Sequence, residues 1–198
     1  MGRPRVHDDK TERDLLAAAE GLLAEGGAQA LSVRRLAEAA GTTPRAIYSV
    51  FGGMDGLLQA LFRVAFNALS ADLDALPVTD DPEADLLAAG TQGFRHWAKT
   101  HPDLFRLAFT DRESRVRLEP AEAGLQAFGR LLARIRRCID AGLFPPGSEF
   151  EIGLAFNAMC EGLASMEARN QLMAQVGRDP DATWESSLRA VVRGYRRA

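Results

Sequence analysis

The stretch Ser32–Phe51, SVRRLAEAAGTTPRAIYSVF, limits what this chain can fold into more than any other. Ser32 is suited to cap a helix whose apolar positions Val33, Leu36, Ala37 and Ala40 recur at helical spacing. Gly41 follows, and glycine enters a left-handed turn without steric cost. Thr43 reads as a second N-cap, with Pro44 at the first helical position, where a missing N–H costs nothing. The second helix turns Ile47, Val50 and Phe51 inward or along its edge and leaves Arg45, Ala46 and Ser49 facing outward. Two short helices joined by a glycine turn make a helix-turn-helix, whose second helix can enter a DNA major groove.

The rest of the chain is helical in its periodicity. Residues 1–10, MGRPRVHDDK, have no apolar repeat and read as a flexible arm. A helix is expected over Thr11–Glu25, with Leu15, Leu16, Ala18, Ala19, Leu22 and Leu23 as its stripe and Gly26-Gly27 as its end. Gly52-Gly53 breaks the chain after the motif and is a place for a pivot, and Asp55 reads as the cap of a long helix stopping before Pro77. Further helices are expected over Glu83–Lys99, from Pro102 to Phe109, over Glu119–Ala141, from a Ser148 cap to Gln175, and from Asp179 or Asp181 to Arg197. The charged Asp111–Leu118 reads as a loop. No segment alternates with period two for long enough to be a strand. The fold class expected is all-α, about nine helices: a three-helix head over 1–54, then a larger helical body over 55–198.

Charge bears directly on a DNA-reading motif. The net charge is −3, and residues 1–52 carry seven Lys/Arg against seven Asp/Glu. Ser32–Phe51, however, has three arginines against one glutamate, so the positive charge is local. Cys138 and Cys160 lie far apart and form no CxxC pair, the N-terminus is polar, and no apolar run approaches the ~18 residues of a membrane span. A reduced, cytoplasmic protein is expected.

The pattern Leu15-Leu16-x-Ala18-Ala19-x-x-Leu22-Leu23-Ala24-Glu25-Gly26-Gly27, then Leu31-Ser32-Val33-Arg34-Arg35-Leu36-Ala37, then Ala40-Gly41-x-Thr43-Pro44-x-x-Ile47-Tyr48-x-x-Phe51 resembles the TetR family of bacterial transcriptional regulators. The resemblance runs from about Thr11 to Leu61 without a gap. It implies a homodimer whose head binds a palindromic operator in double-stranded DNA and whose helical bundle, over 55–198, binds a small-molecule inducer and dimerises. Most such proteins are repressors that leave DNA when the ligand binds. Gly93-Phe94-Arg95-His96-Trp97-Ala98 through Phe109 resembles the subgroup with a WHG-type body, although Asn157 and Glu161 stand where that subgroup has Trp and His. In the head, Val50 and Met54 replace the family's usual His or Tyr and Lys, both phosphate contacts, and Ala28 replaces an aromatic. Fewer phosphate contacts imply a shallower salt dependence.

Arg45 can donate two hydrogen bonds to a guanine, with Thr43, Pro44 and Ser49 beside it, or it can meet a phosphate instead. Tyr48 resembles the family tyrosine that bonds a phosphate, and its ring can also pack under the recognition helix. Ser32 is a phosphate contact or a simple cap, and Arg34 is the better phosphate candidate of the Arg34-Arg35 pair. Arg3 and Arg5 bracket Pro4 in an arm that either enters a minor groove or is a disordered tail. In the body, Phe94, Trp97, Phe105, Phe109, Phe128, Phe156 and Cys160 line an apolar ligand cavity or form ordinary core, and Asn157 and Glu161 share a helix face. Met159, Leu163, Trp184, Leu188, Val191, Val192 and Tyr195 are the expected dimer interface, with burial inside the body as the alternative.

An enzyme is the rival class. His7, His96 and His101 are scattered, and there is no HExxH, GxSxG or P-loop. Asp80-Asp81 and the Asp72/Asp74 pair lie at helix ends, where acids are commonly solvated. No enzyme activity, cofactor or metal is expected. The other alternative is a dimeric helical protein that has lost DNA binding and acts as a ligand or partner docking module.

Overall fold

The computed structural model of the chain describes residues 6–109, 122–169 and 177–196. Among them are nine helices and no strand. The first, α1, spans Val6–Gly26 and continues into a short 3-10 turn, Gly27–Ala30. Helix α2 is Val33–Ala39, α3 is Pro44–Phe51 and α4 is Met54–Asp74. Helix α5 runs over Pro82–Ala88, passes through a π-helical stretch at Ala89–Phe94 and resumes as Arg95–Thr100. The last four are α6, Pro102–Phe109; α7, Glu122–Asp140; α8, Glu149–Ala168; and α9, Pro180–Tyr195.

Several sequence expectations change here. Val6–Lys10, expected in the arm, is the first turn of α1. Asp55 lies inside the first turn of α4, where it faces the positive helix end, and is not its cap. The helix capped at Ser148 ends at Ala168, and the Ser148 hydroxyl donates to Pro145 O at 2.6 Å and makes no cap bond. Asp179, not Asp181, caps α9, accepting from the Asp181 and Ala182 N–H groups. The loop expected at Asp111–Leu118 and the stretch up to Gln175 lie outside the described residues.

The chain divides into two compact units, Met1–Ala65 with Asp103–Ala121, and Phe66–Pro102 with Glu122–Ala198. In the first, α1 packs on α2 and α3, burying Leu15, Ala19, Leu22 and Leu23 together with Leu36 and Ile47. Gly41 and Gly52 take φ values of 61° and 75°, so a left-handed residue follows α2 and another ends α3. After the expected pivot at Gly52-Gly53, the joint with α4 is tightly fitted at Gly56. A Cβ on Gly56 would lie 1.7 Å from Phe51 O, so no side chain fits where the first turn of α4 meets the end of α3.

In the second unit α5 packs on α7, α7 on α8, and α8 on α9. The π stretch carries no signature in apolar spacing, but its glycines show what it does. A Cβ at Gly90 would meet Leu188 Cδ1 at 2.5 Å, and one at Gly93 would meet Leu73 Cδ2 at 2.7 Å. Three arginines at i, i+4 and i+7 of α7 grip the end of α4 and the start of α5. Arg130 pairs with Asp74 through two bonds of 2.8 Å. Arg134, 8% exposed, donates to Leu73 O at 3.0 Å, Asp85 O at 3.3 Å and Leu76 O at 3.5 Å. Arg137 bonds the buried Asp85 carboxylate and Thr79 O. Arg134 thereby adds a donor to carbonyls at the end of α4 and inside α5, two of which, Leu73 O and Asp85 O, also accept from backbone N–H groups.

The joint gives a direct test. Gly56→Ala is expected to destabilise the protein by about 1–3 kcal/mol or more, because backbone must shift to admit the methyl. Gly21→Ala, on an open helix surface, is expected to stabilise by about 0.5–1 kcal/mol. Denaturant unfolding of the two variants beside the parent checks both signs.

Candidate functional site

The head presents one helix face. Helix α3 is held by Ile47, which is fully buried, and turns Pro44, Arg45, Tyr48 and Ser49 outward together. These positions are i, i+1, i+4 and i+5, one side of a helix. Tyr48 is 58% exposed, and its ring lies against Gly53, where a Cβ would sit 3.5 Å from Tyr48 Cε1. Thr43 occupies the N-cap position of α3 with extended backbone, but its hydroxyl makes no cap bond and the residue is exposed. Ser32 differs: its Oγ accepts from Arg35 N at 3.3 Å. Arg35 is drawn to Glu25 at 3.0 Å, whereas Arg34 and Arg45 are exposed with no ion pair among the described residues. Val50 and Met54 are half-buried. Arg3 and Arg5 lie outside the described residues.

The residues expected to line a ligand cavity are divided between the units. Phe105 and Phe109 belong to the first, with ring centroids 5.5 Å apart. In the second, Phe94 and Trp97 meet edge to face at 5.7 Å, and Phe156 and Cys160 are buried on α8. Phe128 is half-buried and meets Phe150 edge-on at 6.0 Å. Asn157 donates to Glu161, and both are half-buried in line with Phe150 and Leu154, which are more than half exposed. They occupy the outer flank of α8, away from its core positions Ile152, Phe156, Cys160 and Leu163. Burial raises the Glu161 carboxyl pKa, with the Asn157 bond opposing. Burial also raises both thiols, Cys138 to about 11.

The expected dimer stripe requires correction. Leu163, Trp184, Leu188 and Val192 are at most 3% exposed, and packing of α8 on α9 within one chain consumes them. Met159, Val191 and Tyr195 are half-buried. An amphipathic stripe shows that a face must be covered but not by which chain. The outward side of α9 instead carries Ala182, Ser186, Ala190, Arg193 and Gly194, and that of α8 carries Phe150, Leu154 and Ala158.

One polar cluster was not anticipated. Arg95, 11% exposed, reaches Glu167 through Nε at 2.9 Å and Nη2 at 2.8 Å, and Asp181 through Nη1 at 2.6 Å. Trp184 Nε1 donates to the same Glu167 at 2.8 Å, and the guanidinium lies 5.6 Å from the Trp184 ring centroid. The cluster joins α5, α8 and α9. Arg95 lies 72 residues from Glu167 and 86 from Asp181, so no local spacing signals the cluster.

Residues 15–61 match the model of the bacterial regulatory proteins of the tetR family, and residues 87–191, more than half of the chain, match the tetracyclin repressor-like C-terminal domain. No curated protein sequence matches. Among solved structures, a protein of unknown function from Rhodococcus sp. RHA1 is 25% identical, with a TM-score of 0.78 over 94% of this chain and 95% of that one. A bacterial regulatory protein of the tetR family from Rhodococcus RHA1 is 20% identical, with a TM-score of 0.69 over 96% and 98%. The TetR family transcriptional regulator PfmR from Thermus thermophilus is 22% identical, with a TM-score of 0.64 over 92% and 99%. The two family matches make the chain a DNA-binding transcriptional regulator, with a helix-turn-helix head and a helical body. The chain belongs to the TetR family. Among the described residues no helix is long and apolar enough to cross a membrane.

The Arg95 cluster has a pH signature. Burial alone would raise Glu167, but the bonds from Arg95 and Trp184 and the charges of Arg95 and Lys99 outweigh it and hold the carboxyl below its ordinary 4.5. A depressed carboxyl contributes stability present above 4.5 and lost as pH falls through its folded value. Glu167→Gln is therefore expected to cost roughly 1.5–3 kcal/mol at pH 7. The gap from the parent should narrow on the acid side of pH 4.5, as read by unfolding curves at several pH values.

Proposed function

We propose that this protein is a homodimeric repressor that leaves a palindromic operator when a small molecule binds its body. The carrying observation is the outward face of α3, where Arg45 stands exposed and unpaired among the described residues, between Pro44 and Ser49. Arg45 reads a base edge, with Pro44 and Ser49 as its neighbours. Thr43, whose hydroxyl is not used in capping, Tyr48 and Arg34 take phosphates. Ser32 acts first as the cap of α2, since its oxygen already accepts from Arg35 N. Arg3 and Arg5 extend the contact through the minor groove. The work divides at about residue 54: 1–54 bind DNA, and 55–198 bind ligand and dimerise.

Dimerisation through the outer faces of α8 and α9, with Met159, Val191 and Tyr195 at their edges, sets the separation of the two recognition helices. They must sit about 34–36 Å apart to enter successive major grooves. A ligand entering among Phe94, Trp97, Phe156 and Cys160 favours another placement of α4, and operator affinity falls by population shift. Cytoplasmic residence follows from this role. The second reading, a docking module without DNA binding, is supported by Val50 and Met54 standing where the family keeps phosphate contacts.

Arg45→Ala tests the assignment. Affinity for the protein's own upstream DNA, measured by anisotropy, is expected to fall by about 1–3 kcal/mol while affinity for a random duplex of equal length changes little. Equal weakening on both duplexes would place Arg45 on a phosphate. Failure of the parent protein to bind either duplex would favour the docking module.

A further inference from the structure

We propose that a cleft in the second unit, walled by the start of α5, the turn after α7 and the last turns of α9, is a separate ligand site that takes an amine carried on a hydrocarbon body. The cleft has a volume of about 550 Å³, within the range of small-molecule sites. Leu87 and Leu143 give it apolar surface, and Asp80, Asp81, Arg189 and Arg196 give it charge. None of the residues Phe94, Trp97, Phe156, Cys160 or Glu161 lines it, so it is distinct from the ligand region of the proposed repressor mechanism.

Charge decides the class of occupant. Both arginines are already neutralised: Arg196 bonds Glu83, and Arg189 lies 2.7 Å from Glu185 and 4.0 Å from Glu83. Two guanidinium groups thus face two carboxylates. Asp80 and Asp81 are left over, both exposed and without an ion pair among the described residues. Asp81 spends one oxygen on capping α5, accepting from Ala84 N at 3.0 Å, and keeps its charge. The field in the cleft is therefore negative. Arg189 reports it, since Glu185, Glu83 and Asp81 all raise its pKa. Cys138, whose thiol donates to Pro82 O at 3.2 Å, reports it as well: after burial, Glu83, Asp81 and Asp85 raise its pKa against Arg137 alone. An anion would have to displace Glu83 from two guanidiniums. A protonated amine finds two uncompensated carboxylates above an apolar floor, and its hydrocarbon part covers Leu87 and Leu143.

Hexylamine and hexanoate, equal in chain length and opposite in charge, separate the possibilities. The readout is the methyl NMR shifts of Leu87 and Leu143 in the full-length protein, with no DNA present, so the result is independent of the operator. Hexylamine is expected to shift both residues saturably and hexanoate to leave them in place. The double variant Asp80→Asn, Asp81→Asn keeps the α5 cap, because asparagine caps as well as aspartate does. It should raise the hexylamine Kd by at least about tenfold without a fall in thermal stability. Hexanoate shifting the same methyls as strongly, hexylamine shifting only residues elsewhere, or unchanged hexylamine affinity in the double variant would each overturn the proposal.

Discussion

An eight-residue helix is too short to persist in water on its own, and the DNA-facing surface proposed for this protein rests on such a helix. Helix α3 exists because Ile47 is fully buried against the two helices that precede it, and because glycines turn the chain sharply at either end. Those two turns release the other side of the helix. Pro44, Arg45, Tyr48 and Ser49 are exposed as a direct consequence of where Ile47 is held. The close fit of Gly56 on Phe51 O then fixes how α4 leaves the motif. The exposed face is a by-product of packing: the side of α3 left outside by Ile47 is the side proposed to meet DNA.

The second unit is organised by guanidinium groups around its apolar core. Arg134 is buried with carbonyl partners at the end of α4, which needs acceptors satisfied and carries the negative end of a helix dipole. Arg130 and Arg137 continue that grip on Asp74 and Asp85, and Arg95 does the same for α8 and α9 through Glu167 and Asp181. Of these pairs, Arg137–Asp85 and Arg95–Glu167 each have a largely buried member, and losing one partner there is costly even though such pairs contribute little net stability compared with apolar packing. Together these contacts tie α4 and α5 to α7, and α5 to α8 and α9, through named side chains. Between the two grips lies the π stretch, whose glycines admit Leu188 and Leu73.

Local chemistry was legible in the sequence and long-range chemistry was not. The cap at Ser32, Pro44 at the helix start and the turn at Gly41 each depend on neighbours within four residues and are readable from composition and spacing, whereas Thr43 takes the N-cap position without making the cap bond. The π stretch within α5 was invisible, because apolar spacing does not distinguish it from an α-helix. Trp184, Leu188 and Val192 were legible as a stripe, but whether a second chain or the same one covers a stripe is decided by α8, distant in sequence. Asn157 and Glu161 were correctly paired by their spacing of four, while their position on the outer flank of α8 depended on the neighbouring helices. Asp80 and Asp81 looked like solvated helix-end acids; only the approach of Arg189 and Arg196 shows that they line a cleft.

The central claim is that the outward face of α3 binds a specific DNA sequence. The most direct measurement is an anisotropy titration of the purified protein against its own upstream region, with excess nonspecific DNA, across a range of salt concentrations. The account predicts saturable binding that survives the competitor, two protomers per operator, and a log–log salt slope of about −0.9 for each phosphate neutralised, shallow because Val50 and Met54 make no phosphate contact. Binding abolished by the competitor at every salt concentration, or no binding at low salt, would contradict it.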